Sequence, residues 1–420
     1  MHMALYQAAT ALAARTIRSG TLGASLSGRA LAAQRWVRWA AERRREGPLI
    51  WLHAASVGET IAASAVIRRL EADGRAQIVR TYSSPSAARW PDRGTCHADY
   101  VPLDVTPSVT ATLDALRPAA LVFSRGDLWP VLVIEAQRRN IPVAVIGGTV
   151  RQSSRRLGWP AAPLLRAMHR DLQSVGAVSD QDAAGWHALG VKSDRLLVTG
   201  DPRHDALLER ETSLAAVQAL LAWKRDGRPL AIGGSVERTD EAALFGAINR
   251  LENAGPFARW LLVPHDPQEH AVRRLTEACE ARGLPTQAWS GGPIPPSARC
   301  AVATQRGTLA DLYLAADLAF VGGGFGGRGP HSVAEPASVG VPVLFGATGA
   351  LGHDERALLA AGGAVGLKGA TGIDLANACR HWMSGGGDPG RRAGLAGRRT
   401  VRSGAAQLSV GLVRAAAGLG

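Results

Sequence analysis

Lysine is nearly absent from this chain: only Lys192, Lys224 and Lys368 appear among its 48 basic residues. That arginine bias fits a GC-rich genome, so arginine abundance by itself says little about function. Cysteine is equally scarce. Cys96, Cys279, Cys300 and Cys379 form no C-x-x-C pair and lie near no plausible cluster of His ligands. Their spacing argues against structural zinc and against a disulfide framework, and predicts reduced thiols in a cytosolic compartment. Aromatic residues make up only 5%. No run of 18 or more apolar residues occurs, so no spanning helix is expected. A secretory signal is not expected either, because Arg15, Arg18 and two glycines interrupt the N-terminal apolar stretch. No G-x-x-x-x-G-K-[ST] loop is present for ATP hydrolysis, and no G-x-S-x-G elbow for serine hydrolase chemistry.

What is present is length and positive charge. A chain of 420 residues exceeds what one hydrophobic core usually supports, so two domains are expected. The net charge of +13 suits an anionic partner: a phosphorylated substrate, an anionic lipid surface or nucleic acid. It equally describes a solvated basic face. No RRM, zinc-finger or helix-turn-helix pattern accompanies it, so no nucleic acid partner is expected. Near the N-terminus, Ala4, Leu5, Tyr6, Ala9, Leu12 and Ala13 precede Arg35-Trp36-Val37-Arg38-Trp39 and Arg43-Arg44-Arg45. Tryptophan among arginines suits a helix lying in a membrane interface. The same pattern suits a helix packed on its own domain.

From residue 49 onward, short apolar runs alternate with helical periodicity. Strands are predicted at Leu49–Ala54, Gln77–Tyr82, Ala119–Phe123, Val143–Ile146, Ser174–Val178 and Leu196–Thr199, with helices between, such as Ile61–Leu70 and Leu132–Arg139. The pattern pauses at a helix over Leu207–Trp223 and a linker over 224–229. It resumes with strands at Leu230–Ile232, Trp260–Val263, Cys300–Thr304, Leu318–Val321 and Pro342–Phe345. Gly385–Gly390 reads as a loop and Ala405–Ala417 as a last helix. This is α/β patterning: two Rossmann-like domains facing across a cleft, with ligands at the strands' carboxyl ends. The expected organisation is a membrane-associating segment 1–45, an acceptor-side domain 46–206, a connecting helix and linker 207–229, a nucleotide-sugar domain 230–402 and a C-terminal helix 403–420.

Two glycine-rich turns carry the chemistry. The first runs from Trp51 through His53-Ala54-Ala55-Ser56-Val57-Gly58-Glu59. It places Glu59 at a helix start just past a buried strand, where the dipole favours its anion and a base is useful. A plain first-turn glutamate reads the same way. The second turn is Gly322-Gly323-Gly324, followed by His331-Ser332-Val333-Ala334-Glu335-Pro336. Its glycines let backbone approach a ligand, His331-Ser332 caps a helix suited to phosphate, and Glu335 suits ribose hydroxyls. Gly233-Gly234-Ser235 repeats the logic or is a tight turn. Asp127, before Leu128-Trp129-Pro130, faces the cleft or caps a helix. Arg203, in Gly200-Asp201-Pro202-Arg203-His204-Asp205, neutralises an anion or is a surface arginine.

These blocks together resemble the Kdo transferases, inverting GT-B glycosyltransferases that move 3-deoxy-D-manno-octulosonic acid from CMP-Kdo onto a lipid A precursor. The resemblance runs from about Leu49 to Gly346. It is carried by His53 to Glu59, Val101-Pro102-Leu103-Asp104, Asp127-Leu128-Trp129-Pro130, Gly200 to Asp205, Arg306-Gly307-Thr308-Leu309, Leu312-Tyr313, Ala316 to Gly323 and His331 to Pro336. It implies Glu59 as catalytic base, Asp127 as a second acid and Arg203 in place of a cleft lysine. It implies CMP contacts at Pro264 and His265, at Arg306, Gly307 and Thr308, and at Ser332, Val333, Ala334 and Glu335. Ser56, Gly58, Gly234, Ser235, Gly322, Gly323 and His331 support them. The expected partners are a CMP-activated donor, a lipid A precursor and an anionic membrane surface. The expected location is the cytoplasmic face of the bacterial inner membrane, peripherally. No metal or cofactor is expected, since helix N–H groups and arginines supply positive charge.

The chain also departs from the family. It has Arg125-Gly126-Asp127 for Glu-Thr-Glu, Pro264-His265-Asp266 for Pro-Arg-His, Gly307-Thr308-Leu309 for Gly-Glu-Leu, and Ser332-Val333-Ala334-Glu335 for Asn-Pro-Leu-Glu. Arg125 reverses a charge beside the expected base. A related transferase with another donor or acceptor, or a retired binding protein, therefore stays open.

Overall fold

Every strand pairing among the described residues is parallel, and the inner strands of each sheet are buried on both faces. The computed structural model describes residues 24–420 apart from 91–93, 151–157, 159–160, 254, 256 and 328. Residues 4–18, read above as part of an interfacial segment, lie outside the described residues. The chain divides into two compact units. One runs to Glu209 and is completed by Arg402–Gly420; the other is Arg210–Val401.

The first unit holds β1 (Leu49–His53), β2 (Gln77–Tyr82), β3 (His97–Tyr100), β4 (Ala120–Ser124), β5 (Val143–Gly148), β6 (Ser174–Ala177) and β7 (Leu196–Val198). Their spatial order is β3-β2-β1-β4-β5-β6-β7, all parallel. The chain leaves β1 in one direction and returns to its other side with β4. The carboxyl ends of those two strands are therefore the switch point, where such sheets bind ligands. β1 is buried throughout. Leu49 and Trp51 join one core and Ile50 and Leu52 the other, as the two-residue strand period requires.

The second unit holds β8 (Leu230–Val236), β9 (Arg259–Pro264), β10 (Thr286–Trp289), β11 (Cys300–Ala303), β12 (Leu318–Val321), β13 (Val343–Gly346) and β14 (Ala364–Leu367). Their order is β10-β11-β9-β8-β12-β13-β14, again parallel, with the switch point between β8 and β12. β3, β10 and β14 were not expected from the sequence. Each has four residues and forms a sheet edge, too short for periodicity to register.

Three expectations are corrected. Trp36 and Trp39 do not face a membrane. They lie on the helix Ala32–Arg43 and are buried in the first unit's core. Trp36 sits with its ring centroid 6.5 Å from that of Trp51, and its indole N–H donates to the Tyr100 carbonyl at 2.9 Å. Indole burial with its one donor satisfied outweighs any interfacial preference. The helix over Leu207–Trp223 is two helices, Pro202–Leu208 and Leu214–Trp223. The C-terminal helix is found at Ala405–Ala417, as expected, and packs on the first unit. Its Ala406, Val410, Val413 and Ala416 complete the core beneath Ile50 and Leu52, and the buried Asp205 accepts from the N–H groups of Gly404 and Ala406. Gly385–Gly390 is a loop only through Gly387, after which Asp388–Arg398 is helical with Pro389 in the first turn.

Candidate functional site

In the first unit, β1 runs through Ala54 and Ala55 into Ser56, which caps the helix Val57–Asp73. Ser56 and Glu59 form a reciprocal capping box: the Ser56 N–H donates to Glu59 Oε2 at 3.0 Å, and the Glu59 N–H donates to Ser56 Oγ at 3.4 Å. The box accounts for Glu59 structurally and also fixes its carboxylate at the switch point. The Ser124 hydroxyl, at the end of β4, donates to the Glu59 carbonyl at 3.0 Å and ties the two strand ends together. Burial first, and then the negative charge of Asp127, raise the pKa of Glu59. The N–H groups of Ser56 and Ala55 and the Arg125 charge oppose the rise. A carboxylate that is half-buried, ionisable and made more basic by a neighbouring carboxylate is the form a general base takes. Gly58 is exposed, and a Cβ built there meets nothing within 4 Å.

Arg125 follows β4 in the left-handed region at φ 70°, an uncommon conformation for arginine. Its guanidinium meets the buried Asp201 at 3.2 Å, and Arg203 meets the same carboxylate at 2.7 Å. Asp201 also accepts from the Arg203 N–H at 2.9 Å and so caps the helix Pro202–Leu208. The structure thus brings Glu59, Asp127 and Arg125 into one electrostatic neighbourhood, and gathers Arg125 with Arg203 on Asp201. Asp201 is the member the sequence did not single out, because a cap before proline reads as turn chemistry.

His53, which opens the first glycine-rich turn, is a strut. It is fully buried, and burial followed by the charge of Arg29 pulls its pKa down to about 3. Its Nε2 accepts from the Trp129 indole at 3.1 Å, so Nδ1 carries the proton and donates to Thr81 Oγ1 at 2.9 Å. Arg29 lies 4.0 Å over the Trp129 ring and bonds the carbonyls of Val101 and Pro102. Nothing in the pattern around Arg29 marked it. The Asp180-Gln181-Asp182 run opens a helix, and Asp182 is used on the Val150 N–H at 2.9 Å and the Ser179 hydroxyl at 2.6 Å.

In the second unit, Gly234 and Ser235 close β8, with Ser235 at φ 51° in a local register shift. A side chain at Gly234 would collide with the Tyr313 hydroxyl, so glycine is required there. Gly322 and Gly323 end β12, but their N–H groups are spent. Gly322 donates to the Gly234 carbonyl at 2.9 Å and Gly323 to buried Asp240 at 2.8 Å. These two donors hold the loop in place. The helix after them is Ala334–Ser338, only five residues, with Val333 at its N-cap and no side-chain cap. His331 and Ser332 therefore do not cap it, and its dipole is small.

His331 instead donates its backbone N–H to the Gly322 carbonyl at 2.9 Å, and its Nε2 pairs with Glu237 at 2.9 Å. Its ring stacks on that of His265, centroids 4.1 Å apart. Pro264 ends β9, and Arg306 is ion-paired with Asp266. Gly307 and Thr308 lead into the short helix Leu309–Leu312, with Thr308 at its N-cap. Burial pushes the Tyr313 hydroxyl pKa well up, and the Glu335 charge adds to it. Glu335 is thus close enough to the Tyr313–Gly234 contact to be felt there. Pro264, His265, Gly234, Ser235, Gly322, Gly323 and His331 share the carboxyl edge of one sheet.

Residues 26–206 match the family model described as 3-deoxy-D-manno-octulosonic-acid transferase (kdotransferase). The 3-deoxy-D-manno-octulosonic acid transferase of Chlamydia pneumoniae is 30% identical over 319 residues, covering 72% of this chain and 70% of that protein. The protein of the same name from Haemophilus influenzae is 27% identical over 306 residues, covering 71% and 70%. Among solved structures, a putative UDP-N-acetylglucosamine 2-epimerase from Listeria monocytogenes aligns at TM-score 0.60 and 12% identity, over 88% of this chain and 97% of that one. The structural likeness concerns the fold, which is GT-B: two parallel α/β units in one chain.

Proposed function

The chain belongs to the 3-deoxy-D-manno-octulosonic acid (Kdo) transferase family, and from that premise we propose that this glycosyltransferase moves Kdo from CMP-Kdo to a lipid A precursor with inversion. Glu59 takes the proton from an acceptor hydroxyl, the hydroxyl oxygen attacks the anomeric carbon, and CMP leaves from the opposite face. The observation that carries this is Glu59 itself: a carboxylate at the β1–β4 switch point, fixed by Ser56, with its pKa raised by burial and by Asp127. Arg125 and Arg203, gathered on Asp201, supply cationic groups near that base for an anionic sugar acid. The second unit is assigned the nucleotide, with Glu335 accepting from ribose. The proposal calls for no metal and no cofactor in the transfer step.

A related donor remains the second reading, favoured by one observation: Arg306, where the resemblance implies a CMP contact, is engaged by Asp266. Calorimetry with CMP, UDP and GDP separates the two. Tightest binding of CMP supports the proposal, and preference for UDP or GDP overturns its donor.

No helix among the described residues is long and apolar enough to cross a membrane. With Trp36 and Trp39 buried, the proposed peripheral association at the cytoplasmic face of the inner membrane rests on the +13 charge and a lipid-linked acceptor. Each basic residue near an anionic surface contributes about 1 kcal/mol and is screened by salt. Binding to anionic vesicles should therefore fall steeply with salt. Absence of binding at low salt removes the membrane from the account.

A further inference from the structure

The geometry points to a divalent transition-metal site in the second unit, formed by Glu237, His265 and His331. Each residue offers one ligand atom, and those atoms lie within 4.8 Å of one another. The three come from consecutive positions across the sheet. Glu237 directly follows β8, His265 directly follows β9, and His331 lies on the loop that leaves β12; these strands are neighbours in the order β9-β8-β12. All three therefore gather at the carboxyl edge, at the switch point of that sheet.

Their backbones are held in place independently of any ion. The His265 N–H donates to the Val236 carbonyl at 3.0 Å and the His331 N–H to the Gly322 carbonyl at 2.9 Å. The Glu237 N–H donates to Asp240 Oδ2 at 2.8 Å, and the same buried carboxylate oxygen takes the Gly323 N–H. Asp240 is fully buried and so fixes the β8 and β12 ends relative to each other. A Cβ at Gly323 would lie 2.9 Å from His331 Cδ2 and 3.0 Å from its Nε2, so glycine makes room for this ring. The His331 ring now stacks on that of His265 with an interplanar angle of 13°, so ligation requires the His265 ring to swing out of the stack.

Two imidazoles and one carboxylate are a donor set for zinc and its neighbours, not for magnesium or calcium, which take oxygen ligands. In a tetrahedral zinc site with bonds near 2.1 Å, ligand atoms stand about 3.4 Å apart. The ligand atoms, now within 4.8 Å of one another, approach that separation when the exposed His265 ring turns out of its stack on His331. The ion would take the place of the contact between His331 Nε2 and Glu237 Oε1. Three protein ligands leave a fourth position for water or a phosphate oxygen. The inference concerns the second unit alone and does not rest on the reaction proposed above.

The test uses the full-length protein, freed of metal by chelation and titrated with Co²⁺ as a coloured stand-in for Zn²⁺. The expected result is one equivalent bound, with the intense visible absorption of a four- or five-coordinate ion, displaced by Zn²⁺. His265→Ala, His331→Ala and Glu237→Gln should each weaken Co²⁺ binding by at least about tenfold, since even removing a supporting residue beyond the ligands costs that much. His381→Ala, at an exposed histidine outside the cluster, should leave it unchanged. His265 is exposed, so its alanine variant keeps the metal-free melting temperature and separates lost ligation from lost folding. Absence of stoichiometric binding, binding that survives all three substitutions, or equal loss in His381→Ala overturns the assignment.

Discussion

Replacing Glu59 by glutamine removes one proton acceptor and almost nothing else. Glutamine keeps an oxygen that accepts from the Ser56 N–H, and Ser-x-x-Gln is as good a capping box as Ser-x-x-Glu. Loss of a general base costs about 10²- to 10⁴-fold, so kcat should fall by that factor, which is about 3–5 kcal/mol of barrier. The stability effect has the opposite sign. Burial and Asp127 raise the pKa of Glu59 in the folded chain, so the folded state holds this proton more tightly than the unfolded state. Stability from this group is greatest below its unfolded pKa and declines as pH rises through the raised folded value. At neutral pH the ionised carboxylate is therefore a net cost, and glutamine does not incur it. Thermal melts at pH 7 should place Glu59→Gln at or above the wild-type midpoint, with the gap closing toward acid. In the wild type, kcat/KM should fall with acid through a pKa above the ordinary glutamate value. Near-wild-type turnover in the variant refutes the base. A large loss of melting temperature would make Glu59 a structural residue whose effect on rate is indirect.

Trp36→Ala should destabilise the first unit by about 3–5 kcal/mol in denaturant titration, the usual cost of emptying a fully buried tryptophan site, and should leave vesicle affinity of the folded protein unchanged. Gly58→Ala meets open space in the first turn of a helix, so it should stabilise by about 0.4–1 kcal/mol in the same titration, while raising KM for the acceptor if a substrate passes there. An unaltered KM would show that this opening serves no ligand. Glu335→Ala should weaken CMP binding by about 1.5–3 kcal/mol in calorimetry with little change in kcat, and unchanged affinity would place the nucleotide elsewhere.

Much of the sheet architecture was legible because buried parallel strands are continuous apolar runs. Leu49–His53, Ala120–Ser124, Val143–Gly148 and Leu318–Val321 declare themselves in that way. The edge strands β3, β10 and β14 did not, since half their residues face solvent or loops. Glu59 was legible because strand, cap and carboxylate are contiguous in the chain. The Arg125–Asp201–Arg203 cluster was not, because the fold brings Arg125 to Asp201 and Arg203 from a separate segment. The same holds for Glu237, His265 and His331, whose spacing matches no short metal motif. The partners of the glycines after β12 were not legible, because Gly234 and Asp240, which take the Gly322 and Gly323 N–H groups, come from distant segments. Trp36 and Trp39 misled, since a half-apolar helix reads alike whether its partner is a bilayer or its own domain.

The most direct measurement incubates the purified full-length protein with CMP-Kdo and a lipid A precursor and follows the acceptor by mass spectrometry. The account predicts acceptor heavier by one or more Kdo residues, matching release of CMP, and its loss in Glu59→Gln. Unmodified acceptor with CMP-Kdo, alongside product from a UDP- or GDP-sugar, would contradict it.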